Sequence, residues 1–170
     1  MTTGLQIPRG IPRAQYVGDG VQTAFTYPFP IFAAEDLTVM VNSARLSAGF
    51  TVSGAGQTTG GTVVFNAPAS SGAAVTLLRR MAIERVTDFS ESGPLSARAL
   101  NREFDVLTAG LQQTAADQAL MLRYADEDLP ASATLPLRAA RAGKLLAFDG
   151  NGAPAPRDPV DEEALATYTP

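Results

Sequence analysis

Between Val75 and Gln118 the apolar pattern changes period, from every second residue to a four-three-four spacing, and this switch constrains the fold more than any other feature. Before it, Phe25, Tyr27 and Phe29 fall on one side of a strand, and Leu37, Val39 and Val41 do the same after the turn-like Ala33-Ala34-Glu35-Asp36. Phe50 with Val52, Val63 with Phe65, and Val75 with Leu77 continue the series. Gly18-Asp19-Gly20, Gly60-Gly61 and Ser71-Gly72 lie between these runs and supply the backbone freedom that hairpin turns require. Pro28 and Pro30 end a strand or place it on an edge, because proline cannot donate to a ladder. An antiparallel sandwich of about five to seven strands is the economical fold for residues 16–91.

After the switch, Pro94 and Ser96 mark a helix start, with Ser96 as the N-cap. Leu100, Phe104, Leu107 and Leu111 then form an apolar seam, which regular heptads continue to Thr114, Gln118 and Met121 and a stutter continues to Ala115, Gln118 and Leu122. Gln118 is the polar member, of the kind that fixes register and copy number in a coiled coil. The helical region is expected over residues 92–126. A helix from Ser96 to Ala125 would be about 45 Å long, against about 20 Å for a typical strand. A lone amphipathic helix can pack on its own sheet, but this overhang favours self-association of a parallel oligomer.

The composition removes most catalytic apparatus. A chain of 170 residues with 45% hydrophobic content supports one modest core. It has no Cys and no His, so disulfides, thiolate nucleophiles, imidazole bases and the usual zinc ligand sets are absent together. A net charge of −4 argues against wrapping nucleic acid. Lys144 is the sole lysine; the other basic residues are arginines, suited to fixed bidentate contacts. No secretory signal or membrane span is evident, which predicts a chain made and kept soluble in a cytoplasm, with no membrane partner.

The flanks are simpler. Residues 1–15 carry prolines and glycines that favour an extended arm, either disordered or ordered as a clasp across a neighbouring subunit. Residues 127–170 read as an extended tail, with one possible hairpin where Leu145-Leu146-Ala147-Phe148 runs into Asp149-Gly150-Asn151-Gly152. Asp161-Glu162-Glu163-Ala164-Leu165 reads as a solvated acidic end or a short helix.

Motifs that carry chemistry are lacking. Gly143-Lys144 has Arg138 where a phosphate-binding loop needs its first glycine, and Gly18-Asp19-Gly20 lacks the third glycine of a dinucleotide fingerprint. Ser53 and Ser92 have no partner base, and Asp126-Glu127-Asp128 lacks the spacing of a calcium loop. No catalytic residue, cofactor site or metal site is assigned. The charges that invite a role are Arg79, Arg80 and Arg85, followed by Asp88. They are surface charges or an internal pair with Asp88 or Glu84, or else they orient the strand-to-helix corner or grip carboxylates of a docking partner.

The motifs Tyr16 to Gly20, Phe25 to Phe29, Phe32 to Val39 and Arg79 to Asn101 resemble the N-terminal anchor domain of tail fibres and tailspikes from short-tailed bacteriophages. The resemblance covers Tyr16 to Gln118. It implies a homotrimer, with Leu100, Phe104, Leu107, Leu111, Gln118 and Leu122 in a coiled-coil interface. It also implies a β domain that meets adaptor and nozzle proteins of the tail, and a place in the virion tail after assembly in the host cytoplasm. The expected architecture is a mostly β sandwich, a long trimerising helix and an extended tail. Because such fibres continue into a shaft and a receptor-binding tip, two possibilities follow. The chain is a short adaptor whose tail recruits a separate fibre or spike, or it is the anchor of a longer depolymerase tailspike. A decoration or baseplate protein, or a bacterial adhesin module, is the alternative of a different class.

Overall fold

The computed structural model describes residues 5–85, 88–89, 96–125, 127 and 134–159. The chain divides into two units, Met1–Met121 and Leu122–Pro170. The first is mostly β with one long helix. Its strands are β1 (Arg13–Val17), β2 (Ala24–Tyr27), β3 (Leu37–Val41), β4 (Ala44–Arg45), β5 (Phe50–Ser53), β6 (Gly61–Phe65) and β7 (Ala74–Arg79). They form one sheet in the order β1-β7-β3-β4 and another in the order β2-β6-β5, with antiparallel pairing throughout.

The inward positions of both sheets meet in one hydrophobic cluster. Val39, Val75 and Leu77 come from the first sheet; Phe25, Tyr27, Val63 and Phe65 come from the second. The period-two pattern works because each sheet has one face against the other and one outside. β2 stops at Tyr27, where Pro28 follows, yet Phe29 and Ile31 continue into the core as irregular chain. The buried Tyr27 hydroxyl donates to the Ser53 carbonyl at 2.5 Å, and burial raises its pKa above the ordinary value. Gly60 is obligatory beside it, since its φ is +83° and a Cβ there would sit 1.9 Å from the Tyr27 carbonyl oxygen. Asn42 and Ser43, with φ of 49° and 66°, close the β3–β4 hairpin, and the Asn42 side chain accepts from the Ala74 N–H at 2.9 Å.

Helix α1 (Ala97–Gln118) begins at the Ser96 cap, whose hydroxyl accepts from the Ala99 N–H at 3.3 Å. Its 22 residues give about 33 Å, and it ends at Gln118 where a helix running to Ala125 was expected. The Leu120 and Met121 N–H groups turn back to the Asp117 and Gln118 carbonyls, closing the last turn, and Asp117 is itself tied to Arg80. Leu122 therefore lies outside the helix and cannot extend the seam as expected. At the other end, β1 takes residues 13–15 from the expected N-terminal arm, because Arg13 pairs with Leu78.

The second unit contains α2 (Arg138–Arg141) and an antiparallel hairpin of β8 (Leu145–Phe148) and β9 (Pro154–Arg157). Its turn is held by the Asp149 carboxylate, which accepts from the Asn151 and Ala153 N–H groups. Leu145, Leu146 and Phe148 remain half exposed. The acidic segment 161–165 lies outside the described residues.

Candidate assembly surface

The junction between β7 and α1 is polar. Val75 and Leu77 point into the core, and Arg79 shares their side of the strand at the end of the row. Arg79 is only 1% exposed. Its guanidinium donates to the carbonyl of Pro30 at 3.1 Å, to the carbonyl of Ala109 at 2.8 Å and to the Gln112 side chain at 3.1 Å. Burial lowers its pKa from the ordinary value, and Asp36 acts in the opposite sense. One arginine thus ties the strand end to the middle of the helix.

The next residues repeat the attachment along the same helix face. The Gln113 amide accepts from the Met81 N–H at 2.9 Å and donates to the Met81 carbonyl at 3.3 Å, as a neighbouring strand would. Arg80 meets both Asp117 carboxylate oxygens at 2.6 and 2.5 Å. Gln112 donates to the Pro8 carbonyl at 2.8 Å, so the N-terminal arm lies on its own chain's helix. Arg102 lies 5.8 Å from the centre of the Phe32 ring. Arg85 and Asp88 are more exposed, 3.9 Å apart, and Arg85 is 6.0 Å from the Phe89 ring centre.

The seam faces the other way. At about 100° per residue, Leu100, Phe104, Leu107 and Leu111 lie roughly opposite Ala109 and Gln113. Phe104 is 56% exposed, Leu107 61% and Leu111 72%. Gln118 is exposed as well, and Leu122 is exposed beyond the helix. The helix packs on its own β domain and yet leaves its apolar stripe uncovered, because the docked face is built from Ala, Gly and Gln.

Between this stripe and Met81, Ile83, Glu84, Arg85 and Phe89 runs an apolar groove of about 510 Å³. Its helical wall holds Leu100, Glu103, Phe104 and Leu107, then Leu107, Gly110, Leu111 and Thr114. Each set has the spacing of the four-residue hole that receives one knob in a coiled coil. Ile83 and Phe89 form the opposite wall. Gly110 belongs to the second set but is buried within the chain, and a glycine inside a helix costs about 0.8–1.0 kcal/mol relative to alanine. A Cβ at Gly110 would meet nothing nearer than the Ile83 Cγ1, at 4.0 Å. The chain itself has room for alanine there.

The candidate residues thus separate into groups. Arg79 and Arg80 bind the helix, Arg85 and Asp88 pair at the surface, and the seam residues of α1 are free of the β domain. Gln112, Gln113, Asp117, Gly110 and Ile83 were not singled out by sequence. The only signal was the paired glutamine on the side of the helix away from the seam. Among the described residues, no group of His, Cys, Asp or Glu could hold a metal ion, and no helix is long and apolar enough to cross a membrane.

Over 115 residues the chain is 35% identical to the tail spike protein of Salmonella phage epsilon15. The match takes in 64% of this chain and 11% of that protein, so the chain spans about a tenth of the relative's length. No family model matches.

Proposed function

We propose that this chain is a structural part of a bacteriophage tail, an anchor or adaptor that fixes a receptor-binding fibre or spike to the tail machine as a homotrimer. The observation that carries the reading is the 35% identity to a tail spike protein over 115 residues. The geometry supports it mechanically. A tail appendage needs a docking body, a joining element and a fixed angle between them. Here the two-sheet domain is the docking body, α1 is the joining element, and the Arg79, Gln113 and Asp117 bonds fix the angle.

In this reading, three copies of α1 associate through Leu100, Phe104, Leu107 and Leu111, with Gln118 as the polar layer, and lead toward the distal spike. The outer surface of the β domain meets adaptor or nozzle subunits, where Arg85 is available for a partner carboxylate. The chain carries out no catalysis itself and holds no cofactor; any chemistry belongs to the appendage it attaches. Gold-labelled antibody against the β domain, viewed on intact particles, tests the proposal. Label confined to the tail is the expected result, and label over the capsid faces contradicts it.

A further inference from the structure

The two sides of the sandwich where its sheets end are built differently. Where β1 and β2 meet, the Tyr16 hydroxyl donates to the Thr26 carbonyl at 2.6 Å and the Tyr16 ring lies 5.4 Å from that of Phe25, which closes that side. On the other side the edge strands are β5 and the two-residue β4, with a groove of about 660 Å³ beside them. We infer that this groove takes an extended segment of a partner tail protein, added as a further strand along β5. This rests on the tail-anchor reading above and adds which edge docks and what chemistry it accepts.

The backbone of β5 is prepared for such a strand. The Asn66 N–H donates to the Gly49 carbonyl, so the same antiparallel ladder bonds Thr51 to Val64 and Ser53 to Thr62. The N–H and C=O groups of Phe50 and Val52 therefore point along the free edge, where none of the described residues pairs with them. A row of unpaired donors and acceptors is a template for another chain, and proteins usually blunt it with charge or proline. Phe50-Thr51-Val52-Ser53 carries neither.

The groove's side chains commit it to one occupant. Phe50 and Val52 are half-buried against the core, and Leu37 and Leu46 line the groove from the other sheet's side. Glu35 and Arg45 line it too, and neither has an ion-pair partner among the described residues. Glu35 precedes the start of β3, whereas Arg45 pairs with Met40, so the two charges are separated along β3 by on the order of 10 Å. Every second side chain of an added strand faces the groove. The segment that fits presents a carboxylate to Arg45, then an apolar residue, then a cation to Glu35, at alternate positions. A second copy of β5 has no charge to offer either group.

The test is binding of the labelled chain to phage particles assembled without it, read by co-sedimentation over a concentration series. Val52→Pro removes an N–H that β6 does not use, which an edge strand tolerates, whereas Thr51→Pro removes one that it does. Arg45→Glu, at an exposed side chain, probes the charge without touching the backbone. The parent should bind, and Val52→Pro and Arg45→Glu should each bind at least about tenfold more weakly. Their thermal melts and light-scattering masses should match the parent's, while Thr51→Pro melts lower. Parent-like binding by either Val52→Pro or Arg45→Glu overturns the β5 site and leaves the tail reading standing. A Val52→Pro mass below the parent's overturns the partner in favour of a second copy of this chain. A parent that does not sediment with the particles overturns both readings.

Discussion

The two sheets and helix α1 solve opposite problems in the same unit. The sheets bury large apolar side chains against each other, with Phe25, Val39, Val63, Val75 and Leu77 all inaccessible, and use few polar ties. The helix is attached by an arginine, two glutamines and an ion pair, and turns its large apolar residues away from the body. Apolar contact is non-directional, whereas hydrogen bonds to a strand end and a linker fix an angle. The difference shows a helix whose orientation is set within the chain while its large apolar side chains stay exposed.

Removing core volume should do the most damage. Phe25→Ala is expected to cost about 3–5 kcal/mol of unfolding free energy, read by urea titration with circular dichroism. Next comes the buried guanidinium: Arg79→Met leaves the Pro30 and Ala109 carbonyls without their donor. We expect a loss of about 2–4 kcal/mol. Hydrogen exchange should rise in α1 while β2 and β6 stay protected, and equal loosening of both would break the comparison.

Gln113→Leu leaves the Met81 N–H unpaired and should cost about 1–3 kcal/mol in the same titration. On the opposite face, Leu107→Gln should change the stability of the isolated chain by no more than about 0.5 kcal/mol, yet abolish self-association in light scattering. The smallest effect concerns pH. The Val21 and Gln22 N–H groups hold the Asp19 carboxyl below its ordinary 3.8. The stabilisation from this turn is therefore complete above about pH 4 and is lost as pH falls through the lower folded-state value. Asp19→Asn should flatten that segment of the stability profile.

The sheets were legible in the sequence because two faces sharing one core favour alternation, and Phe25, Tyr27, Val63 and Phe65 obey it. The seam was legible as an apolar stripe at four-three-four spacing. Its exposure was not, because the face that docks is made of Ala109, Gly110 and Gln113, residues with no hydrophobic signal. Arg79 had the strand parity of Val75 and Leu77, but its burial depends on Ala109, thirty positions away. Asp117 likewise pairs with Arg80, thirty-seven positions away, which spacing along the helix cannot reveal.

The central claim is that α1 is held at a fixed angle so that its uncovered seam joins three chains. Multi-angle light scattering of the unmodified protein across a concentration series tests it most directly. The account predicts a concentration-independent mass three times that of the 17.7 kDa chain. A mass of one chain at every concentration contradicts it.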